Sequence, residues 1–135
     1  MKMTVMIDTN VIISAALNPK GSASLAMIKA LSPPFQPVVC DYIIDELHRK
    51  FEEKFPHRIT QLEAFLYHAL LFIEIIPTPE SEYFAEGKIR DVKDRPILRA
   101  ALAKHVDYLL TGDKDFLESD ILTPQMISPS DFLKK

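Results

Sequence analysis

Short apolar runs alternate along this chain with longer stretches in which apolar residues recur at helical spacing. The first run, residues 3–7, is mostly apolar and too short to cross a membrane. Such a pattern, without regular polar interruptions, is typical of a strand that is buried on both faces of a parallel sheet. Four further strands are predicted at residues 38–40, 72–76, 106–110 and 121–127.

The stretches between these runs predict helices, because their apolar residues recur every three or four positions. A short helix follows Asn10, and the chain closes with a short helix or turn. Ser22 and Asp41 are expected to cap two of the longer helices. Those longer helices are predicted at residues 22–31, 42–55, 57–71 and 95–105. Strands alternating with helices over 135 residues predict one α/β domain, residues 1–135.

The helix predicted at 57–71 has more apolar surface than one buried stripe requires. Phe65, Leu71 and Phe72 lie beside its main apolar positions. Two interpretations remain open: these residues belong to the core and the next strand, or they form a docking surface for a second copy or a partner helix.

Composition narrows the class of protein without deciding its ligand. The net charge of −3 argues mildly against a nucleic-acid partner. If four of the acids bound divalent metal, however, 15 acidic residues would remain against 16 basic ones, so the net charge does not decide the question. The single cysteine, Cys40, excludes an internal disulfide and a cysteine-based zinc cluster, which predicts a reducing, cytoplasmic location. Asp8 and Asn10 interrupt the N-terminal apolar run before a signal peptide could form. No stretch reaches the roughly 18 apolar residues of a membrane span, so no membrane association is expected.

Two acidic residues follow predicted strands. Asp8 ends the first strand, and Asp113 follows the fourth within Thr111-Gly112-Asp113. In open α/β sheets the ligand crevice lies at the carboxyl ends of the strands, so acids there are candidates for chemistry. Taken alone, Thr111-Gly112-Asp113 is also consistent with a simple turn.

Two further acids lie in the first turns of predicted helices. On a helical wheel Glu46 lies at the margin of the apolar face, whereas Asp45 points nearly opposite. Asp94 lies on the same side as Leu98 and Ala101. The alternatives are that Glu46 only complements the helix dipole and that Asp94 only caps its helix.

Together these four acids are expected to meet at one edge of the sheet. Clustered carboxylates repel one another, so some must be protonated or a hard cation must neutralise them. Mg²⁺ or Mn²⁺ is the natural choice, because both favour oxygen ligands. Such a site can activate water and stabilise charge on a phosphoryl oxygen.

At these residues the chain resembles the PIN domain family, in the branch that comprises toxins of prokaryotic toxin–antitoxin systems. The resemblance rests on residues 6–11, Glu46, residues 94–102 and residues 107–115. It implies a three-layer α/β/α fold with a parallel sheet of about five strands and a metal-dependent endoribonuclease activity. It also implies a homodimer and a cognate antitoxin as partners.

The resemblance assigns roles residue by residue. Asp8, Glu46, Asp94 and Asp113 match the metal-binding and catalytic acids, with Asp115 or Asp91 as a further acid. The matching polar positions that line the site are Asn10, Ser14 and Thr111. Val92 stands where this branch often has proline, which leaves the role of Asp91 open.

From the residues themselves, Glu46 is a candidate for assisting deprotonation of the attacking water. Lys93, Arg95 and Lys114 flank the acids and could contact the RNA backbone, or they are solvated surface charges. Two rival functions remain: a non-catalytic domain of the same fold that binds RNA or protein, and an α/β phosphatase or receiver-like domain.

Overall fold

The computed structural model describes residues 2–135, which form five strands and seven helices. The strands are β1 (Met3–Ile7), β2 (Phe35–Cys40), β3 (Glu74–Ile76), β4 (Tyr108–Leu110) and β5 (Gln125–Ile127). The helices are α1 (Thr9–Leu17), α2 (Ser22–Ala30), α3 (Asp41–Lys54), α4 (Ile59–Ala69), α5 (Arg95–Lys104), α6 (Lys114–Leu117) and α7 (Pro129–Phe132). Three short 3-10 turns complete the described elements: Pro56–Arg58, Phe84–Lys88 and Val92–Asp94.

The five strands form one parallel sheet in the order β3-β2-β1-β4-β5. In the central strand Val5, Met6 and Ile7 are all fully buried, although successive side chains point to opposite faces. Both faces of the sheet centre are therefore covered, which confirms the predicted α/β architecture with three layers.

The order of the strands places a topological switch point between β1 and β4. From β1 the chain adds β2 and β3 on one side, and then it crosses back to add β4 and β5 on the other. Val5 pairs with Tyr108 and Ile7 with Leu110, so the carboxyl ends of the two strands are adjacent. Ligands of open α/β folds bind at such a point.

Two predicted helix caps are wrong, and four strands begin elsewhere than predicted. Gly21 precedes α2 at the cap position, so Ser22 is already the first helical residue. Asp41 is likewise the first residue of α3, and its carboxylate accepts hydrogen bonds from the Tyr42 N–H and from Thr78. β2 begins three residues early, at Phe35, whereas β4 and β5 begin late, at Tyr108 and Gln125. The third strand begins at Glu74 because Phe72 lies in the bend after α4, where its side chain is 67% exposed.

Helix α4 explains this exposure. Leu62, Leu66 and Ala69 bury one face of the helix as its spacing predicts. Tyr67, Leu71 and Phe72 stay outside the core. Between α2 and α4 lies an apolar groove of about 290 Å³, and we call it the α2–α4 groove. It is lined by Ser24, Met27, Ile28, Leu31, Phe65, His68, Ala69 and Phe72.

Among residues 2–135, no single helix is both long and apolar enough to cross a membrane. Only α1 and α2 taken together reach that length and composition, and they are bent by 115° at the break between them.

Candidate active site

Asp8 lies directly after β1 and caps α1. Its Oδ1 accepts the Thr9 N–H at 2.8 Å, and its Oδ2 accepts the Thr111 hydroxyl at 2.7 Å. The side chain is 3% exposed. Burial raises the pKa of Asp8 from 3.8 to about 6; the two hydrogen bonds oppose the rise, and the nearby charges of Glu46 and Asp113 add to it. The charged form of Asp8 is therefore unfavourable in the folded protein, and a bound cation would stabilise it.

Glu46 reaches the same region from the first turns of α3. It is 3% exposed, whereas its neighbour Asp45 is exposed, as the helical wheel predicts. The Thr9 hydroxyl donates a hydrogen bond to Glu46 Oε1, and Lys50 Nζ lies 3.7 Å from Oε2. Thr9 thus connects the two buried acids, since its backbone N–H binds Asp8 and its hydroxyl binds Glu46.

Asp94 immediately precedes α5 and is 9% exposed. Within the described chain its carboxylate makes no capping hydrogen bond, so a role in capping alone does not explain its position. Burial raises the pKa of Asp94, and the close carboxylate of Asp113 raises it further. Asp94 therefore lies close to other acids in a site that is partly closed to solvent.

The carboxylates of Asp94, Asp113 and Asp115 form the tightest acidic group. Each offers an oxygen within 4.8 Å of the others. In the described residues 2–135 this group does not include Asp8 or Glu46, so the acids form an inner pair and an outer triplet. Asp113 belongs to the outer triplet and contributes to the raised pKa of Asp8 in the inner pair.

The two further acids suggested by the sequence differ in position. Asp115 joins the triplet, and its Oδ1 accepts hydrogen bonds from the Arg90 guanidinium. Asp91 is exposed, and its carboxylate accepts the Lys93 N–H. Of the two, Asp115 is the one placed to share a cation with Asp94.

The predicted polar residues lie at two depths. Thr111 is fully buried and connects the two acidic groups: its hydroxyl donates to Asp8 Oδ2 and accepts the Asp113 N–H at 3.0 Å. Asn10 and Ser14 are exposed and line a cleft beside the acids.

Thr111→Val is expected to destabilise the protein by roughly 1–2 kcal/mol, because an isosteric apolar side chain leaves a buried carboxylate and a backbone N–H without their shared partner. Urea denaturation measures the change. Thr111→Ser keeps the hydroxyl and should lose less; equal losses for both variants would mean that the γ-methyl packing matters and the hydrogen bonds do not.

The predicted basic residues surround the acids without pairing with them. Lys93 and Lys114 are exposed, and the Arg95 Nε donates to the Ile89 carbonyl oxygen at 2.9 Å. No sequence pattern indicated two other cations, Arg90 on Asp115 and Arg99 on the buried Glu86. Both contacts join the loop between β3 and α5 to elements that carry site acids, and neither residue lies at helical spacing from its partner.

This arrangement can hold a hard divalent cation. Carboxylate oxygens are the ligands that Mg²⁺ and Mn²⁺ prefer. Asp8 and Asp94 are buried beside other acids, and both the poor solvation and the crowding raise their pKa values. A bound cation would relieve both effects, so the donor set fits the predicted metal. Asp8 and Asp113 follow β1 and β4, the two strands on either side of the switch point.

Comparisons with known proteins agree with this fold. The family model described as the PIN domain matches residues 4–115. A chain in the crystal structure of VapBC2 from Rickettsia felis bound to a DNA fragment from their promoter gives a TM-score of 0.71 at 18% identity, over 93% of this chain and 98% of that chain. A chain in the structure of DNA-bound VapBC from Salmonella typhimurium gives 0.67 at 17% identity, over 94% and 98%. A comparison with curated proteins found no match.

At sequence identities this low, the two crystal structures support a shared fold and nothing more. The PIN model carries the assignment further, because it matches most of the sequence, from β1 to the start of α6, and its range includes all four acids from Asp8 to Asp113. The chain belongs to the PIN domain family.

Proposed function

We propose that this protein is a metal-dependent endoribonuclease and the toxin of a toxin–antitoxin pair. The observation that carries the proposal is the gathering of Asp94, Asp113 and Asp115 within 4.8 Å, beside the buried pair Asp8 and Glu46, at the carboxyl ends of β1 and β4. PIN membership supports nuclease chemistry at that place.

In this proposal Asp8, Asp94 and Asp113, with Glu46 and Asp115 nearby, hold Mg²⁺ or Mn²⁺. When bound, the ion supplies charge neutralisation at a phosphoryl oxygen and helps to activate water. Thr111 fixes Asp8 relative to the Asp113 backbone, and Thr9 fixes Glu46 relative to Asp8.

Two groups of side chains serve the substrate. Glu46 accepts a proton from the attacking water: it is buried outside the tight triplet, and unlike Asp8, whose two oxygens both accept hydrogen bonds from the protein, it has only one oxygen so engaged. Lys93 and Lys114 are exposed and contact the RNA phosphates, with Arg95 as a third cation whose Nε is already engaged.

The comparisons also support a protein partner. Both similar crystal structures are VapBC complexes, so we propose a cognate antitoxin for this chain. The α2–α4 groove and the exposed Tyr67, Leu71 and Phe72 offer an apolar surface for a partner. A homodimer, a single domain over residues 1–135 and a cytoplasmic location remain predictions; the buried free thiol of Cys40 suits the last.

The two rival functions are not equally well supported. PIN membership argues against an α/β phosphatase or receiver-like domain, and the receiver-like strand order 2-1-3-4-5 also differs from the order β3-β2-β1-β4-β5 of this sheet. A PIN domain that binds RNA or protein without cleaving it is the remaining alternative, and it would keep the acids but lack turnover.

Two adjacent acids give a matched test. A structured RNA is incubated with Mg²⁺ or Mn²⁺, with and without EDTA, and with Glu46→Gln or Asp45→Asn protein purified in the same way. We expect EDTA to stop cleavage, Glu46→Gln to lower kcat/KM by roughly 10- to 50-fold, and Asp45→Asn to stay near wild type, because only Glu46 faces the site.

Equal cleavage by all three proteins would mean a contaminating ribonuclease and would remove support for the site. Cleavage that survives EDTA would contradict metal dependence. Mn²⁺ binding by calorimetry without turnover on any RNA would favour the binding domain.

A further inference from the structure

A stripe of polar residues leads away from the acids along α1. Asn10, Ser14 and Asn18 follow one another at intervals of four residues, so they lie on one face of the helix and its C-terminal cap. All three are exposed, whereas Val11, Ala15 and other residues of the same helix are buried. The stripe begins two residues after Asp8 and extends over about 12 Å.

This stripe forms one wall of a cleft of about 560 Å³. Gly21 and Ser22 at the start of α2 also line the cleft, as does Gly112, which precedes Asp113 in the chain. None of the ten residues that line the cleft is charged. Apart from the two chain neighbours of Gly112, a methyl group added at this residue would meet no atom within 4 Å, so the cleft is open there.

An RNA strand presents two kinds of surface, an anionic phosphate and an uncharged nucleoside. A cation held by the acids suits the phosphate. The cleft suits the nucleoside: its amides and hydroxyls can bind a base edge or a ribose, Val11 and Leu17 offer apolar contact, and its volume lies in the range of small-molecule sites.

We propose that this cleft binds one nucleoside of the RNA next to the scissile phosphodiester, with the Asn18 amide as its principal hydrogen-bonding group. The inference rests on the proposed nuclease function and adds a specificity subsite to it. Asn18 can serve because an amide both donates and accepts hydrogen bonds.

Because Gly21 has no side chain, it leaves room for the Asn18 amide. A Cβ atom at residue 21 would lie 2.8 Å from Asn18 Nδ2 and 3.2 Å from its Cγ. The backbone of Gly21 has φ −80°, which any residue adopts, so Gly21→Ala should fold and displace the amide without removing it. The two variants Asn18→Ala and Gly21→Ala therefore perturb the same group in independent ways.

The test measures binding separately from cleavage. In an Asp8→Asn background in Mg²⁺ buffer, the affinities of fluorescent single-stranded rA6, rC6 and rU6 are measured by anisotropy. We expect Asn18→Ala to weaken binding of the preferred oligomer about 3- to 10-fold, which corresponds to the loss of one or two hydrogen bonds. The differences in affinity among the three oligomers should also become smaller. Gly21→Ala should likewise weaken binding of the preferred oligomer.

Thr60→Ala is the matched control, because Thr60 is exposed on α4 and outside the lining of the cleft. It should stay within about twofold of the background. Thermal melting checks that each variant folds, and Asn18→Asp, which keeps the acceptor for the Lys20 N–H, replaces Asn18→Ala if that variant does not.

An Asn18→Ala or Asn18→Asp protein that folds and binds all three oligomers with unchanged affinity would overturn the inference, and so would a background that binds none of them. An abasic site at the nucleotide beside the mapped cut should abolish the difference in affinity between the Asn18→Ala protein and its background. A difference that persists would mean that Asn18 contacts the ribose or the phosphate and not the base, and it would contradict a subsite that discriminates among bases. Failure of the nuclease proposal is detected independently, as absent cleavage by the wild-type protein.

Discussion

Asp8→Asn is expected to lower metal-dependent RNA cleavage by roughly 100- to 1000-fold without lowering stability at pH 7.5. Asp8 lies at the switch point beside Asp113 and Glu46, and loss of a carboxylate that supports a cation removes several kcal/mol of charge stabilisation. An amide can still accept the Thr9 N–H, so the cap of α1 persists. Single-turnover cleavage and urea denaturation measure the two effects.

Stability should not fall, because the folded protein gains little from a charged Asp8. Asp131→Asn, at an exposed acid in α7, serves as the control and should change neither quantity. A large loss of stability in Asp8→Asn would attribute the lost cleavage to unfolding, and unchanged cleavage would remove Asp8 from the proposed site.

Metal-free protein is expected to become less stable than its Asp8→Asn variant as the pH rises from about 4 to 6. The folded state raises the pKa of Asp8 from 3.8 to about 6, so it keeps a proton that the unfolded chain has already released. The unfolding free energy attributable to Asp8 is therefore highest below pH 4, falls through this window and is lower by roughly 3 kcal/mol above it. The raised pKa of Asp94 acts in the same direction.

Urea denaturation in EDTA at several pH values, for wild type and Asp8→Asn, isolates this difference from other titrations. Addition of Mn²⁺ at pH 7.5 to a hundred times its dissociation constant should return about 2.7 kcal/mol to the wild type. If the curves of the two proteins run parallel from pH 4 to 7, Asp8 does not carry the raised pKa; if Mn²⁺ stabilises neither, the acids do not bind it.

The sequence predicted the sheet and the family because both depend on local patterns. The apolar run before Asp8 identified a doubly buried strand, and its last three side chains are fully buried. The helical wheel separated Glu46 from Asp45 because the buried face of a helix follows from its period. The range of the PIN match includes the same ordered acids. Their catalytic and metal-binding roles remain proposals.

Other features depend on contacts that no local pattern encodes. Asp41 looks like a cap in sequence, but Thr78, which is distant along the chain, takes part in its hydrogen bonds. Phe72 has the composition of a strand residue, yet the end of α4 keeps it out of the sheet. Helical periodicity also could not show that the acids divide into a buried pair and an outer triplet, since that depends on how α5 and α6 approach β1.

The loop between β3 and α5 is the clearest case. Burial opposes the charge of Glu86, but hydrogen bonds from Arg99 and from the Tyr83 N–H outweigh it, so the pKa of Glu86 lies below its ordinary value. Arg99 Nη1 also donates to the Pro79 carbonyl oxygen. One guanidinium thus binds this loop at two points, Pro79 and Glu86, and no pattern in the sequence indicates either contact.

The position of β1 has a consequence for how the protein is made. Its partner β4 is synthesised about a hundred residues later, and Val5 pairs with Tyr108 across that interval. A ribosome-bound chain that ends before β4 has one side of its central strand unpaired and lacks Asp113. The acids can meet only after β4 and Asp113 have been synthesised, so any activity of this site against RNA is deferred until translation has passed that point.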